Sequence, residues 1–233
     1  MAHKTDGKLQ GEISYSVVTS RLDIDGYLTQ YDQLPPGMFK DSSALDEWLC
    51  DMKSRPGHPS VSISKIALKG FDTEEVVILE SGSGSSIHYR ALWVRAKYGR
   101  YRNAMKAYLT TYKAGDDGLK SVDADHVINR HRVKSQYPDA WLMLMPVPNE
   151  ANRGFGSAIE KNFEKINLDR DSWLIEPVVL LKSFAVTSPK SYAEVKALIS
   201  QLEGQMENGT AKSQTLIQAL QRYCEIRNWS EPN

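Results

Sequence analysis

The chain has 233 residues and is 41% apolar, long enough to bury a sizeable core as one large domain or two small ones. Lysine plus arginine and aspartate plus glutamate both total 29, so no bulk charge advertises a nucleic-acid partner, although a local patch can be hidden in a neutral sum. Two cysteines, Cys50 and Cys224, lie too far apart for a C-x-x-C redox pair or a zinc-ligand spacing.

The opening "MAHKTDGKLQGEISYSVV" carries no long apolar run after its lysines and does not read as a signal peptide. No later stretch has the length of a membrane span. The expectation is a cytoplasmic protein without an N-terminal secretion signal. "EISYSVV" reads as a strand and "QLPPGMF" as a turn. "DSSALDEWLCDMKS" predicts a helix, with Ser42 or Ser43 as its cap and Leu45, Trp48 and Leu49 on one side. "VSISKIAL" and "EEVVILES" predict two neighbouring strands. "GSGSS" after them suggests a boundary, which gives a first region over residues 1–85.

From Tyr89 to about Tyr112 the spacing of Leu92, Ala96, Met105 and Leu109 predicts one long helix. "AWLMLMPVP" predicts a buried strand, "NEANRGFGSAIEKNFEKI" a turn entering a helix, and "SWLIEPVVLLKSF" another buried strand-like run. "SYAEVKALISQLEGQM" and "SQTLIQALQRYCEIRNW" predict a C-terminal helical hairpin over residues 191–233. The fold class is therefore α+β: a small mixed or antiparallel sheet, a long central helix and a helical tail, with residues 86–190 as the functional core.

Charge is uneven along the chain. Between Ser86 and Lys134 stand eleven lysines and arginines against four aspartates. Arg90, Arg95, Arg102, Lys106, Arg130 and Arg132 are candidate contacts to a nucleic-acid backbone, interleaved with tyrosines. An ordinary solvated helix face accounts for the same residues.

"DADHVINRHR", residues 123–132, follows directly. Histidine titrates near neutrality and can take a proton from water, while carboxylate and amide oxygens are hard ligands for a divalent ion. Asp125 and His126 could face Asn152 if the strand, strand and helix packed as a ββα unit. Neighbouring residues of a regular strand point to opposite faces, however. One of the pair would then have to sit in a loop or bulge, or Asp123 would serve as ligand instead. His131 lies in a basic run and reads as exposed. Asn152 could equally be a helix cap, and Arg153 could hold a phosphate or pair with Glu160.

The stretch resembles the His-Me finger, or HNH, nucleases, whose ββα-metal motif opens with an Asp-His pair. The resemblance covers about 40 residues and implies His126 as general base and Asp125 as metal ligand. Asn152 on the helix would complete the metal site, with Glu160 as a further ligand and Arg153 on the scissile phosphate. The residue that orients the base would be Asp139 or Asn149. Histidine is absent after residue 131, as are the glycine-rich loop and paired cysteines of many members. The implied function is an endonuclease, a hydrolase of DNA or RNA using Mg²⁺ or another divalent ion, in the setting of a bacterial toxin or defence effector. The competing expectation is a non-enzymatic protein-interaction or nucleic-acid-binding adaptor, with an acidic, helical C-terminal surface for a protein partner.

Overall fold

A computed structural model describes residues 27, 34–54, 63–83, 86–112, 122–160, 170–183, 186, 188–205 and 211–231. In chain order the elements are β1 (Pro36–Phe39), α1 (Ser42–Ser54), β2 (Ile63–Ala67), β3 (Val76–Ser83), β4 (Ser86–Arg95), α2 (Tyr101–Tyr112) and β5 (Val122–His126). There follow α3 (Arg130–Lys134), β6 (Trp141–Pro148), α4 (Asn149–Glu160), β7 (Ser172–Leu174), α5 (Val179–Ser183), α6 (Tyr192–Gln205) and α7 (Ala211–Arg227).

The fold is α+β, built on a seven-stranded antiparallel sheet. The order is β2-β3-β4-β6-β1-β7, with β5 also on β6. Strand β6 pairs with β4 along Trp141 to Leu144. It also meets β1 at Trp141 and Leu142, and β5 from Leu144 to Pro148. A methyl at Gly37 would lie 2.7 Å from Val127 Cγ2, so glycine permits β1 to approach the end of β5.

Both faces of the central strands are buried, which explains why their sequences read as continuous apolar runs rather than alternating ones. Val77 and Leu79 of β3, Trp93 of β4, and Met143 and Met145 of β6 join the core beneath α1, α4, α5, α6 and α7. Val76, Ile78, Leu92, Val94 and Leu144 face the other way, onto Ala104, Met105, Tyr108 and Leu109 of α2. Helix α1 starts where Ala44 N–H donates to Asp41 Oδ1 at 3.0 Å, so Asp41 rather than Ser42 or Ser43 supplies the cap.

Four expectations change. "SWLIEPVVLLKSF", expected as one strand-like run, is the short strand β7 followed by helix α5. The single helix from Tyr89 to Tyr112 is two elements, β4 and α2, separated by a turn around Gly99. Leu92 and Ala96 share a helical spacing, but Tyr89, Ala91 and Trp93 alternate against Leu92 and Val94, and burial on both faces hid that alternation. "QLPPGMF" ends in β1 rather than in a turn alone, and the sheet is larger than expected. Ser83 of β3 pairs with Ser86 of β4, so the sheet joins residues on both sides of the expected boundary. The C-terminal hairpin is present as α6 and α7, and Leu216, Ala219, Leu220 and Tyr223 join the main core. The expected strand "EISYSVV" lies outside the described residues. Among the described residues no helix is long and apolar enough to cross a membrane.

Candidate nucleic-acid interface and the two faces of β5

The segment "VDADH" is strand β5, so its side chains alternate between faces. Its register on β6 fixes which face is which: Asp125 lies opposite Met145 and His126 opposite Leu144. Met145 belongs to the α4–α7 side and Leu144 to the α2 side. Asp123 and Asp125 therefore leave the sheet one way, Ala124 and His126 the other.

On the first face a polar cluster forms. Lys182 Nζ of α5 donates to Asp125 Oδ2 at 2.8 Å and to Asn152 Oδ1 at 3.4 Å. Asn152 Nδ2 donates to Asp123 Oδ2 at 3.2 Å. The Lys182 side chain is 3% exposed and that of Asp125 is 14% exposed. An ammonium taken this far from water is tolerable only beside a carboxylate. The ββα-like order of β5, β6 and α4 does bring Asp123, Asp125 and Asn152 together. The cation among them is a lysine, and it occupies the position between Asp125 and Asn152 that a metal would need. These residues consequently do not fit a divalent-ion site as they stand. Among the described residues no three His, Cys, Asp or Glu side chains gather as metal ligands. Lys182 was missed at sequence level. Its one signal was a lysine inside the otherwise apolar "PVVLLKSF".

On the second face, the His126 ring packs edge-on to Tyr101, with centroids 4.5 Å apart. Its Nε2 is buried and has no hydrogen-bond partner among the described residues. Burial, then the charges of Arg130, His131 and Arg102, lower its pKa to about 3. A neutral imidazole in this field is a weak base near pH 7. His126 and Asn152 stand on opposite sides of the sheet, so the convergence of base and metal ligands expected in one cleft is absent. Regular strand alternation is the physical reason.

The candidate phosphate contacts divide. Arg95 is buried: its guanidinium donates to the carbonyls of Glu74 (2.9 Å) and Asp139 and to Ser42 Oγ (2.8 Å), and stacks 4.3 Å over the Trp141 ring. Arg90 pairs with Glu80 and lies 4.2 Å over Tyr112. Both arginines were expected to meet phosphates and instead tie strands together. Arg130 is intermediate, donating to the Ala96 carbonyl at 2.6 Å while lying 5.5 Å from the Tyr101 centroid. Arg102, Lys106 and Arg132 are exposed, as are Arg100 and Lys134 around them. Arg102 sits 5.3 Å from the same Tyr101 ring. His131 is exposed, as expected, in α3, whose cap is Asn129.

Asn152 lies within α4 rather than at its cap, Arg153 beside it is exposed, and Glu160 closes the helix with its side chain outside the described residues. Asp139 pairs with Lys97 at 2.8 Å, away from His126's partners, and Asn149 Oδ1 is buried without a partner among the described residues. Comparisons with protein-family models, with curated proteins and with solved structures returned no match.

Proposed function

We propose that the α2–β5–α3 face binds a nucleic-acid strand through its phosphates and that the chain acts as a nucleic-acid-binding adaptor. The observation that carries this reading is the pair of exposed cations Arg102 and Lys106 on α2 beside β5, with Arg102, Arg130 and His131 close enough to His126 to hold its imidazole neutral; Arg100, Arg132 and Lys134 are further exposed cations of the same stretch of chain. Clustered cations on one face gain by releasing counterions from a polyanion, even in a chain whose total charge is zero. The Tyr101 ring, held among Arg102, Arg130 and His126, keeps two guanidiniums close together against their mutual repulsion. The cleavage chemistry that the HNH resemblance implies lacks this support, because the sheet separates its base from its metal ligands and Lys182 stands among the latter.

The test is fluorescence anisotropy of a labelled single strand and a labelled duplex at rising potassium chloride. Binding should weaken steeply with salt. The double variant Arg102→Ala/Lys106→Ala should lower the log–log salt slope by about one per lost phosphate contact. Lys196→Ala, on α6 across the sheet, should bind as the parent does. Absence of binding at low salt, or a double variant indistinguishable from the parent, would refute the reading.

A further inference from the structure

Around the Tyr101 ring, at the start of α2, positive charge collects without a counter-charge. The Arg102 guanidinium lies 5.3 Å and that of Arg130 5.5 Å from the ring centre, and the His126 ring packs 4.5 Å from it. His131, next to Arg130 on α3, is exposed and near enough to act on His126. The Arg102 and His131 side chains make no hydrogen bond or ion pair among the described residues. Arg130 donates only to the neutral carbonyls of Ala96 and Lys97. The first turns of α2 and α3 hold no acidic residue. Asp123 and Asp125, the carboxylates closest in the chain, leave β5 by the opposite face. The buried Nε2 of His126 also lacks a partner among the described residues. Cations held this close repel one another, and an anion seated among them relieves that repulsion.

We infer that this cluster seats the terminal phosphate of a bound strand, a phosphomonoester at its 5′ or 3′ end. The inference rests on the nucleic-acid reading above and adds to it the part of the strand that is recognised. A phosphodiester within a strand carries a single negative charge on a pair of free oxygens. A terminal monoester carries about −1.5 to −2 at neutral pH, on three acceptor oxygens. Arg102, Arg130 and His131, each without an anionic partner, match those three oxygens and the larger charge. Two of them are guanidiniums, whose forked N–H groups suit phosphate. Lys106 stands one turn further along α2 on the same side, and with Arg102 it lines a groove of about 300 Å³ beside β5. The strand that continues from the seated end therefore meets a further cation, which a free phosphate would not reach.

The experiment titrates the full chain against oligothymidine with an internal label and a 5′-phosphate, a 3′-phosphate or hydroxyls at both ends. It is run above pH 7, where the monoester is mostly doubly charged. A phosphorylated end should tighten binding about tenfold, the worth of one charge-assisted contact. Capping that phosphate as its methyl ester keeps the group but removes one charge. It should return the affinity close to that of the unphosphorylated strand. Arg102→Gln/His131→Gln, at two exposed positions, should bring the ratio between phosphorylated and unphosphorylated strands to about one. Lys106→Ala should weaken both strands alike and keep the ratio. An advantage at either end supports the inference, and the end that shows it gives the strand's polarity. Equal affinity for all ends with salt-dependent binding intact, or a ratio that persists in the double variant, would overturn it and leave the broader reading standing. Failure to bind any strand overturns both. Inorganic phosphate competing as effectively as the phosphorylated strand would overturn the assignment to a strand end. If the double variant fails to melt cooperatively, the methyl ester on the parent protein decides alone.

Discussion

The two faces of β5 handle charge in opposite ways. Toward α4 and α5, Asp125 and Asn152 hold Lys182, and Asn152 in turn holds Asp123, so the ammonium meets a carboxylate inside the protein. Toward α2 and α3, His126 is held neutral while the surrounding cations remain at the surface. Adjacent residues 125 and 126 thus serve unlike ends: one pins helices to the sheet, the other lets a crowded positive surface exist without adding to it. A sequence motif made of neighbouring residues need not be one site when those neighbours lie on a strand.

The largest effect should come from breaking the paired face. Lys182→Ala leaves the Asp125 carboxylate without its ammonium, and loss of one member of a buried pair costs about 3–5 kcal/mol. Urea denaturation at neutral pH measures this. Adding Asp125→Leu should recover part of the loss, because it removes the stranded charge. A Lys182→Ala variant as stable as the parent would mean that the pair has no structural role.

The cationic face should reveal itself through pH. The folded pKa of His126, about 3, lies below the ordinary value of 6.5. The unfolded chain takes up a proton below pH 6.5 while the folded chain does not, so stability is fully present above 6.5 and falls as pH is lowered toward 3. At about pH 4 the loss from this group alone is about 3 kcal/mol. His126→Phe keeps a ring against Tyr101 and removes the titration. Its stability should therefore fall less than the parent's between pH 7 and about pH 4. Parallel pH profiles for the two proteins would show that His126 titrates normally.

The smallest expected effect sharpens the boundary between the faces. Asn152→Ala removes the hydrogen bond to Asp123, a loss of about 1 kcal/mol. Melting curves should register it, while salt-dependent strand binding through Arg102 and Lys106 should stay unchanged. A large loss of binding would mean that Asn152 belongs to the interface after all.

Much of the architecture was legible in the sequence: α1, the β2–β3 pair, β6 and the α6–α7 hairpin follow from apolar spacing and turn residues. Strand β4 was not, because a strand buried on both faces loses its alternation and then imitates a helical stripe. At the site, the proximity of Asp123, Asp125 and Asn152 was legible from the strand, strand and helix order. Lys182 was not, since a lone lysine in "PVVLLKSF" gives no hint of its partner 57 positions earlier. Arg95 looked like its surface neighbours for a similar reason. What distinguishes it is a set of carbonyls from Glu74 and Asp139 that meet only when β4 and β6 are in place.

The position of β1 between β6 and β7 governs the timing of folding. Phe39 pairs with Trp141, about a hundred residues later in the chain, and Pro36 with Leu174, later still. Closing such a separation is entropically expensive and slows the formation of the sheet. At ordinary rates of translation, β1 leaves the ribosome roughly 5–20 s before its first partner strand does. Throughout that interval Met38 and Phe39, fully buried in the finished protein, have no strand to pair with. The nascent chain therefore carries an unmatched apolar strand for nearly half of its synthesis, the kind of segment that chaperones hold. Early release from such holding is the step at which this fold would be most prone to aggregate.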